Sequence, residues 1–456
     1  MRNANLQTIH SMRCLVLPLL AFVGLTMTAF CQSGNPVFPL KISENRRYFV
    51  DQTGKPFFYH ADTGWQIFQR LTTEDAREYL IFRKNQGFTT IQTQVIMNPE
   101  GANPYGHRAF LNDNDFSKPD EAYHDQVARI LTIADSLGLF IVMSQPWAGC
   151  CREAFGGGPD KPILKNGPAK NRQYGQYLGR KFARFKNLYY LMGGDNDPKG
   201  ERAELVAMAE GLRETAPAYQ LLTYHASPPH SSTDLFQYAP WLGFSMIYTY
   251  WREKPNDWSN GDTMPHVYEA AIREYTKSDV MPFVLGESQY EGSTGNDIGL
   301  PIHVRRQAYW TMLCGGAGHA YGSEIWNFPK NWREIMRNPG AAQMQHVATL
   351  FNSLPWHTLR PDLRHQALVG GYGDWSKPNF ATTAVSEDKK LMVSYLPDIR
   401  PVTVDFNYLA GSAFSVRWFD PVRGAFSPET KVEKKQLTRL QCPPNGDDWV
   451  LVVKSL

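Results

Sequence analysis

Two carboxylates in this chain stand just past short apolar runs that end in glycine: Asp195 in LMGGDNDP and Glu287 in VLGESQYEG. Cleaving a glycosidic bond takes one carboxylic acid to protonate the departing oxygen and a second carboxylate to attack the anomeric carbon or activate water. In a parallel barrel, strand–helix units recur about every 30 residues, so the two acids read as strand-end residues three units apart, on the fourth and seventh strands. Placed so, Asp195 reaches a leaving group from the side as acid and base, and Glu287 attacks from below. Each could instead cap the helix that follows it or pair with an arginine. Asp197 and Glu291 compete within a turn of each, but Asp195 and Glu287 stand nearer the strand ends.

Sugars present hydroxyls around an apolar C–H face, so their sites combine aromatic platforms with hydrogen-bonding side chains. Both kinds recur at the expected strand ends: His60, Asp62, Trp65, Gln94, Trp147, His225, Tyr248, Tyr250, Trp251, Glu324 and Trp326. Singly, each fits core packing equally well; gathered on one rim, they would line a carbohydrate cleft. Other chemistries find less support. His60, His225, His230 and His319 lack the spacing of a zinc motif. There is no GxSxG elbow and no glycine-rich phosphate loop. The expectation is catalysis without metal or cofactor.

The elements that must carry these residues follow a strand–helix alternation. FPLKISENRRYFVDQTGKPFFYH reads as a hairpin that closes the barrel floor and leads into a first strand ending at 60–65. Further strands are expected at 89–95, 140–144, 188–193, 221–225, 243–248, 281–286 and 318–321. Helices are expected at 72–86, around 127–134, and at 169–186, 199–215, 264–277, 302–313 and 340–353. Eight such units make a (β/α)8 TIM barrel, whose chemistry lies at the C-terminal strand ends. The polar 98–120 loop has the length of a functional loop. After Pro355 the texture changes to short alternating runs such as Leu391-Met392-Val393-Ser394-Tyr395, the mark of a smaller antiparallel β-sandwich. The expected organisation is a signal peptide at 1–33, a catalytic barrel at 34–355 and a β-sandwich at 356–456.

Residues 1–33 carry Arg2 and Arg13, then an apolar run from Leu15 to Leu25, then small and polar residues, which is the order of a secretory signal peptide. Export to the periplasm or cell surface is expected, with Cys31 a minor option for lipid attachment. Lys plus Arg number 47 against 44 Asp plus Glu, a net charge of +3, so nothing points to a nucleic-acid partner. Beyond the leader only Cys150, Cys151, Cys314 and Cys442 remain, too few for a disulfide scaffold; the adjacent Cys150 and Cys151 read as two ordinary thiols, with a strained vicinal disulfide as the alternative.

The segments HADTGWQIF at 60–68, YYLMGGDNDP at 189–198, VLGESQYEG at 284–292 and AYWTMLCGGAGHAYGSEIWNF at 308–328 together resemble the apiosidase-like glycoside hydrolases of Bacteroidetes, over about residues 37–355. The trailing β domain resembles the collagen-binding-type domain often joined to them. The resemblance implies a retaining barrel enzyme acting on apiose-containing linkages of pectin, in the side chains of rhamnogalacturonan II. It also implies an aspartate acid/base and a glutamate nucleophile, carried onto Asp195 and Glu287. Related retaining barrels have Asn-Glu at the end of the fourth strand; here Gly-Asp stands there, one methylene shorter. Alternatives are another specificity, such as an arabinofuranosidase or a galactosidase, or a non-catalytic carbohydrate- or matrix-binding protein.

Overall fold

The computed structural model describes residues 34–149, 154–156, 158–250, 264–294 and 297–456. The expected leader at 1–33 with Cys31, the Cys150–Cys151 pair and Trp251 lie outside the described residues. None of the described helices is long and apolar enough to cross a membrane.

Eight parallel strands form the barrel: β1 Tyr59–Thr63, β2 Thr90–Gln94, β3 Phe140–Ser144, β4 Leu188–Gly193, β5 Leu222–His225, β6 Ser245–Tyr248, β7 Phe283–Glu287 and β8 Gly318–Tyr321. Helices lie between and after them: α1 Thr73–Asn85, α2 Glu121–Ser136, α3 Pro162–Lys181, α4 Arg202–Thr215, α5 Ser232–Phe236, α6 Val267–Tyr275, α7 Pro301–Leu313 and α8 Pro339–Asn352. Each strand is buried on both faces, which is why strands such as β3 and β4 read as apolar runs. In β3, Phe140 and Val142 fill the barrel interior, while Ile141 and Met143 pack under the helices.

The strands pair in the order β5-β4-β3-β2-β1-β8-β7-β6, so the ring closes between β5 and β6. That seam has a single parallel bridge, between Leu222 and Leu242, with side chains in place of the rest of the ladder. The Ser232 hydroxyl donates to Tyr224 O (2.6 Å) and accepts from Met246 N (2.8 Å), and Thr223 Oγ1 donates to Phe244 O (2.7 Å). At the opposite mouth, three short strands at 41–42, 49–50 and 56–57 plug the floor. Phe49 meets Tyr59, Tyr189 and Phe244 there, and Tyr189 donates to Leu40 O (3.1 Å).

Local chemistry sets the helix ends. Thr72 caps α1 by accepting from Asp75 N, and Asp120 caps α2. Helix α3 consists of two helical segments that meet at Gly167, whose φ of 60° and ψ of 174° are non-helical; the second begins just after it, where the helix from about 169 was expected. The Asn171 side chain donates to Ile163 O (2.9 Å) and Gly167 O (2.8 Å), supplying partners that the kink would otherwise remove. The 98–120 loop is anchored by Phe110 stacked on Phe116 (4.6 Å) and set edge-on to Tyr174 of α3.

Past the barrel, the antiparallel strands Leu359–Pro361, Thr382–Ser386, Leu391–Leu396, Trp449–Ser455, Ala413–Asp420 and Ala425–Phe426 form one sheet, with Thr430–Glu433 paired to Ala413–Asp420. Leu368–Gly370, Pro401–Val404 and Thr438–Gln441 form a second sheet. Met392, Val404, Phe414 and Leu451 lie in the core between them. The other face of the larger sheet lies on the barrel, where Val393, Val450 and Val452 share one core with Ala308, Leu313 and Val347. Tyr309 stacks on Tyr395 (4.8 Å). Arg305 of α7 grips Asp448 through Nε (3.2 Å) and Nη2 (2.6 Å), with both side chains buried and Tyr395 also donating to Asp448 (2.8 Å). Asp448→Ala leaves the Arg305 charge buried and unpaired, so denaturant unfolding should show a loss of about 3–5 kcal/mol.

Candidate active site

The chain turns sharply at the top of β4. Gly193 (φ 80°), Gly194 (φ 127°) and Asp195 (φ 46°) are consecutive left-handed residues. A Cβ on Gly194 would run into the Trp147 indole, and one on Gly193 into the Tyr224 ring. Aspartate tolerates this region better than most residues, and strain of this kind gathers at functional sites. The turn brings the Asp195 carboxylate to His225, with Oδ1 3.5 Å from Nδ1. The Asp195 amide donates to the same nitrogen at 3.3 Å, and Ser227 Oγ holds the Asp195 carbonyl at 2.8 Å.

Glu287 owes its direction to an irregularity. Along β7, Val284 faces the interior and Leu285 faces the helices, so strict alternation would turn Glu287 outward. The pairing with β6 slips instead: Leu285 lies opposite Ile247, and Glu287 opposite the next residue, Tyr248. The bulge falls on Gly286, where a Cβ would run into Met246, and it turns the carboxylate inward.

Glu287 is buried among tyrosines. Tyr250 donates to Oε1 (3.3 Å), and the hydroxyls of Tyr290 and Tyr248 also hydrogen-bond the carboxyl. Burial pushes the Glu287 pKa up to about 8 against the opposing effect of these three donors. His225 Nε2 lies 3.0 Å from Glu287 Oε2. Neither atom has another partner, although their approach is off the line of a good hydrogen bond. The imidazole is wholly buried, which lowers its pKa despite the neighbouring Asp195 carboxylate, so the ring is held neutral. Its walls are Trp147 (5.2 Å), Tyr248 (4.9 Å) and Trp65 (5.7 Å). Trp65 also donates to the Tyr290 hydroxyl (2.6 Å).

Asp195, His225 and Glu287 offer donor atoms within 4.8 Å of one another. A tetrahedral zinc site with bonds near 2.0 Å needs donors roughly 3.3 Å apart. The two short separations in the trio, 3.5 Å from Asp195 and 3.0 Å from Glu287, are near that spacing but run to different nitrogens of His225, so the imidazole stands between the two carboxyls.

Of the residues expected at the cleft, the structure brings Trp65, Trp147, His225, Tyr248 and Tyr250 around the two acids. Gln94 ends β2 buried, on the same side of the strand as the interior Gln92, with its Oε1 unpartnered. Trp326 packs on the aromatic cluster that holds Trp65 and Tyr248, and the Glu324 carboxyl lies over Gly292.

His60 and Asp62 are corrections. Tyr59 and Ala61 take the interior positions of β1, so their neighbours face the helices. His60 stacks between Phe88 (4.7 Å) and Phe58 (5.3 Å) and meets His319 (2.9 Å). Asp62 pairs with Arg83 of α1 (2.7 Å) and accepts from Tyr79. The two competing acids have other partners. Glu291 caps α8, accepting from Gly340 N (2.7 Å), Ala341 N (3.2 Å) and the Tyr321 hydroxyl (2.5 Å). Asp197 binds His230 (2.7 Å) and Ser227 N (3.0 Å). Tyr290 was not among the expected residues; its only signal was an aromatic hydroxyl three positions after Glu287.

A strand-end carboxylate pair in an aromatic pocket of a (β/α)8 barrel is an arrangement suited to glycosidic bond cleavage. Residues 43–358 match the family model "Apiosidase-like, catalytic domain", and residues 372–454 match "Putative collagen-binding domain of a collagenase". The chain belongs to the apiosidase-like family of glycoside hydrolases. Its fold is similar to that of a solved glycoside hydrolase at 24% identity and a TM-score of 0.81, covering 92% of this chain and 98% of the other. A glycoside hydrolase family 5 structure from Bacteroides vulgatus ATCC 8482 is similar at 22% identity and a TM-score of 0.80, covering 91% and 94%. No curated protein matches the chain.

Proposed function

We propose that this enzyme is exported and cleaves apiose-containing linkages in the rhamnogalacturonan II side chains of plant pectin, with net retention of configuration. The match to an apiosidase-like catalytic domain supports this choice of sugar. Retention is supported by one observation, the donor atoms of Asp195 and Glu287 within 4.8 Å. Retaining pairs stand about 5–5.5 Å apart, whereas inverting pairs need roughly 6.5–9.5 Å to admit a water.

In the first step a Glu287 oxygen bonds to the anomeric carbon, the bond to the leaving oxygen breaks, and Asp195 gives that oxygen its proton. In the second, water attacks the glycosyl ester from the opposite side, Asp195 takes the water's proton, and Glu287 departs as a carboxylate. The aromatic walls supply the platform for the sugar's C–H face.

Incubating the full chain with rhamnogalacturonan II should release apiose or an apiose-bearing fragment, and early NMR spectra should show the anomer of the substrate's configuration. Binding without release would reject the hydrolytic reading on this polymer. Release of the opposite anomer would reject retention.

A further inference from the structure

We infer that His225 is a tautomeric proton relay that moves one proton from Glu287 to Asp195, converting the resting carboxyl pair into its reactive form. This rests on the reading of Glu287 as nucleophile and Asp195 as acid. A retaining pair starts with one proton, and that proton must sit on the acid while the nucleophile is ionised. Burial among aromatic rings favours the opposite arrangement, with the proton on Glu287. The imidazole lies between the two carboxyls and offers a path for that proton.

The ring touches both carboxyls through different nitrogens. In one neutral tautomer, Nδ1–H faces Asp195 Oδ1 (3.5 Å) or Ala226 O (3.3 Å), and the bare Nε2 faces Glu287 Oε2 (3.0 Å). In the other, Nε2–H faces the ionised Glu287, and Nδ1 accepts the Asp195 amide (3.3 Å). Transfer takes a turn of the Glu287 carboxyl onto the Nε2 axis and a closer approach of Asp195 Oδ1 to Nδ1. The Glu287 O–H bond breaks as Nε2–H forms, and Nδ1–H breaks as the Asp195 O–H forms. The ring passes from one tautomer to the other, total charge is unchanged and no co-reactant is consumed.

Two further observations fit a relay better than a sugar-binding histidine. The ring has no exposed surface, and both nitrogens already face protein atoms. Its remaining neighbours are Trp65, Trp147 and Tyr248, with Tyr250 and Tyr290 beyond Glu287; the titratable groups that face it are therefore Asp195, Glu287 and these tyrosines.

The test needs no substrate. The full chain is labelled with [15N]histidine, and the ring nitrogens are followed by long-range 1H–15N correlation over roughly pH 5–10, around the ordinary and raised carboxyl range. The His225 signals are assigned by their loss in His225→Phe. Expected is a neutral ring throughout, changing from Nδ1–H to Nε2–H as Glu287 ionises, with no such change in Glu287→Gln. A single tautomer over the whole range, or an imidazolium, would overturn the relay.

Kinetics supply the second arm. His225→Phe and His225→Gln, checked for fold by circular dichroism, should lower kcat on rhamnogalacturonan II by about 10²-fold with little change in KM and an altered pH profile. A wild-type profile in both variants would also overturn it. Loss of the catalytic reading shows elsewhere, as full activity in Asp195→Asn or Glu287→Gln, so the two failures are distinguishable.

Discussion

Glu287→Gln should lower kcat by about 10⁴-fold, an effect of the size seen when one member of a cooperating catalytic set is removed. The amide keeps the shape of the carboxyl and can still accept from Tyr250, so the pocket stays assembled, but it cannot form the ester to the anomeric carbon. Stability should move the other way. The folded enzyme holds the Glu287 proton up to about pH 8, whereas an unperturbed glutamate releases it near 4.5. The folded state therefore binds the proton more tightly, and wild-type stability falls as pH rises from about 4.5 through 8. Glutamine has no charge to bury. Melting curves of the two proteins should thus converge in acid and separate in favour of the variant above pH 8, by a few kcal/mol. A variant with nearly full activity, or one less stable than wild type at high pH, would contradict this account.

Asp195→Asn should lower kcat by about 10²–10⁴-fold on substrates with alcohol leaving groups, the usual contribution of a positioned general acid. Asparagine is the substitution to use because it also tolerates the left-handed backbone at this position (φ 46°), so the turn after Gly194 survives. The loss should depend on the leaving group. An activated aryl glycoside departs without protonation, so its first step persists and the glycosyl enzyme accumulates because water lacks its base. Added azide needs no base and should restore turnover, giving a glycosyl azide of retained configuration. Uniform loss across leaving groups, with no rescue, would make Asp195 a positioning residue.

Much of the barrel was legible because its strands are buried on both faces. FIVMS, LYYLMG and GHAY are apolar or aromatic runs bounded by glycine or polar residues, and their limits at 140–144, 188–193 and 318–321 are those observed. The same property hid the phase of each strand: in HADT every position is buried, so hydropathy could not say that His60 and Asp62 face the helices. Glu287 presents the converse case, since its inward direction depends on the slip at Gly286, which leaves no hydropathic mark. Helix α5 is too short for periodicity to reveal. Tyr290 enters the site through the loop after β7, where no repeat predicts direction.

The union of the β-sandwich with α7 also constrains how this enzyme meets a polymer. A module on a loose tether would search a volume around the cleft and hold a branch at many angles. Here the sheet and the helix after β7 share one core and a clamped Arg305–Asp448 pair, so whatever touches the sandwich is presented to the barrel in one fixed orientation.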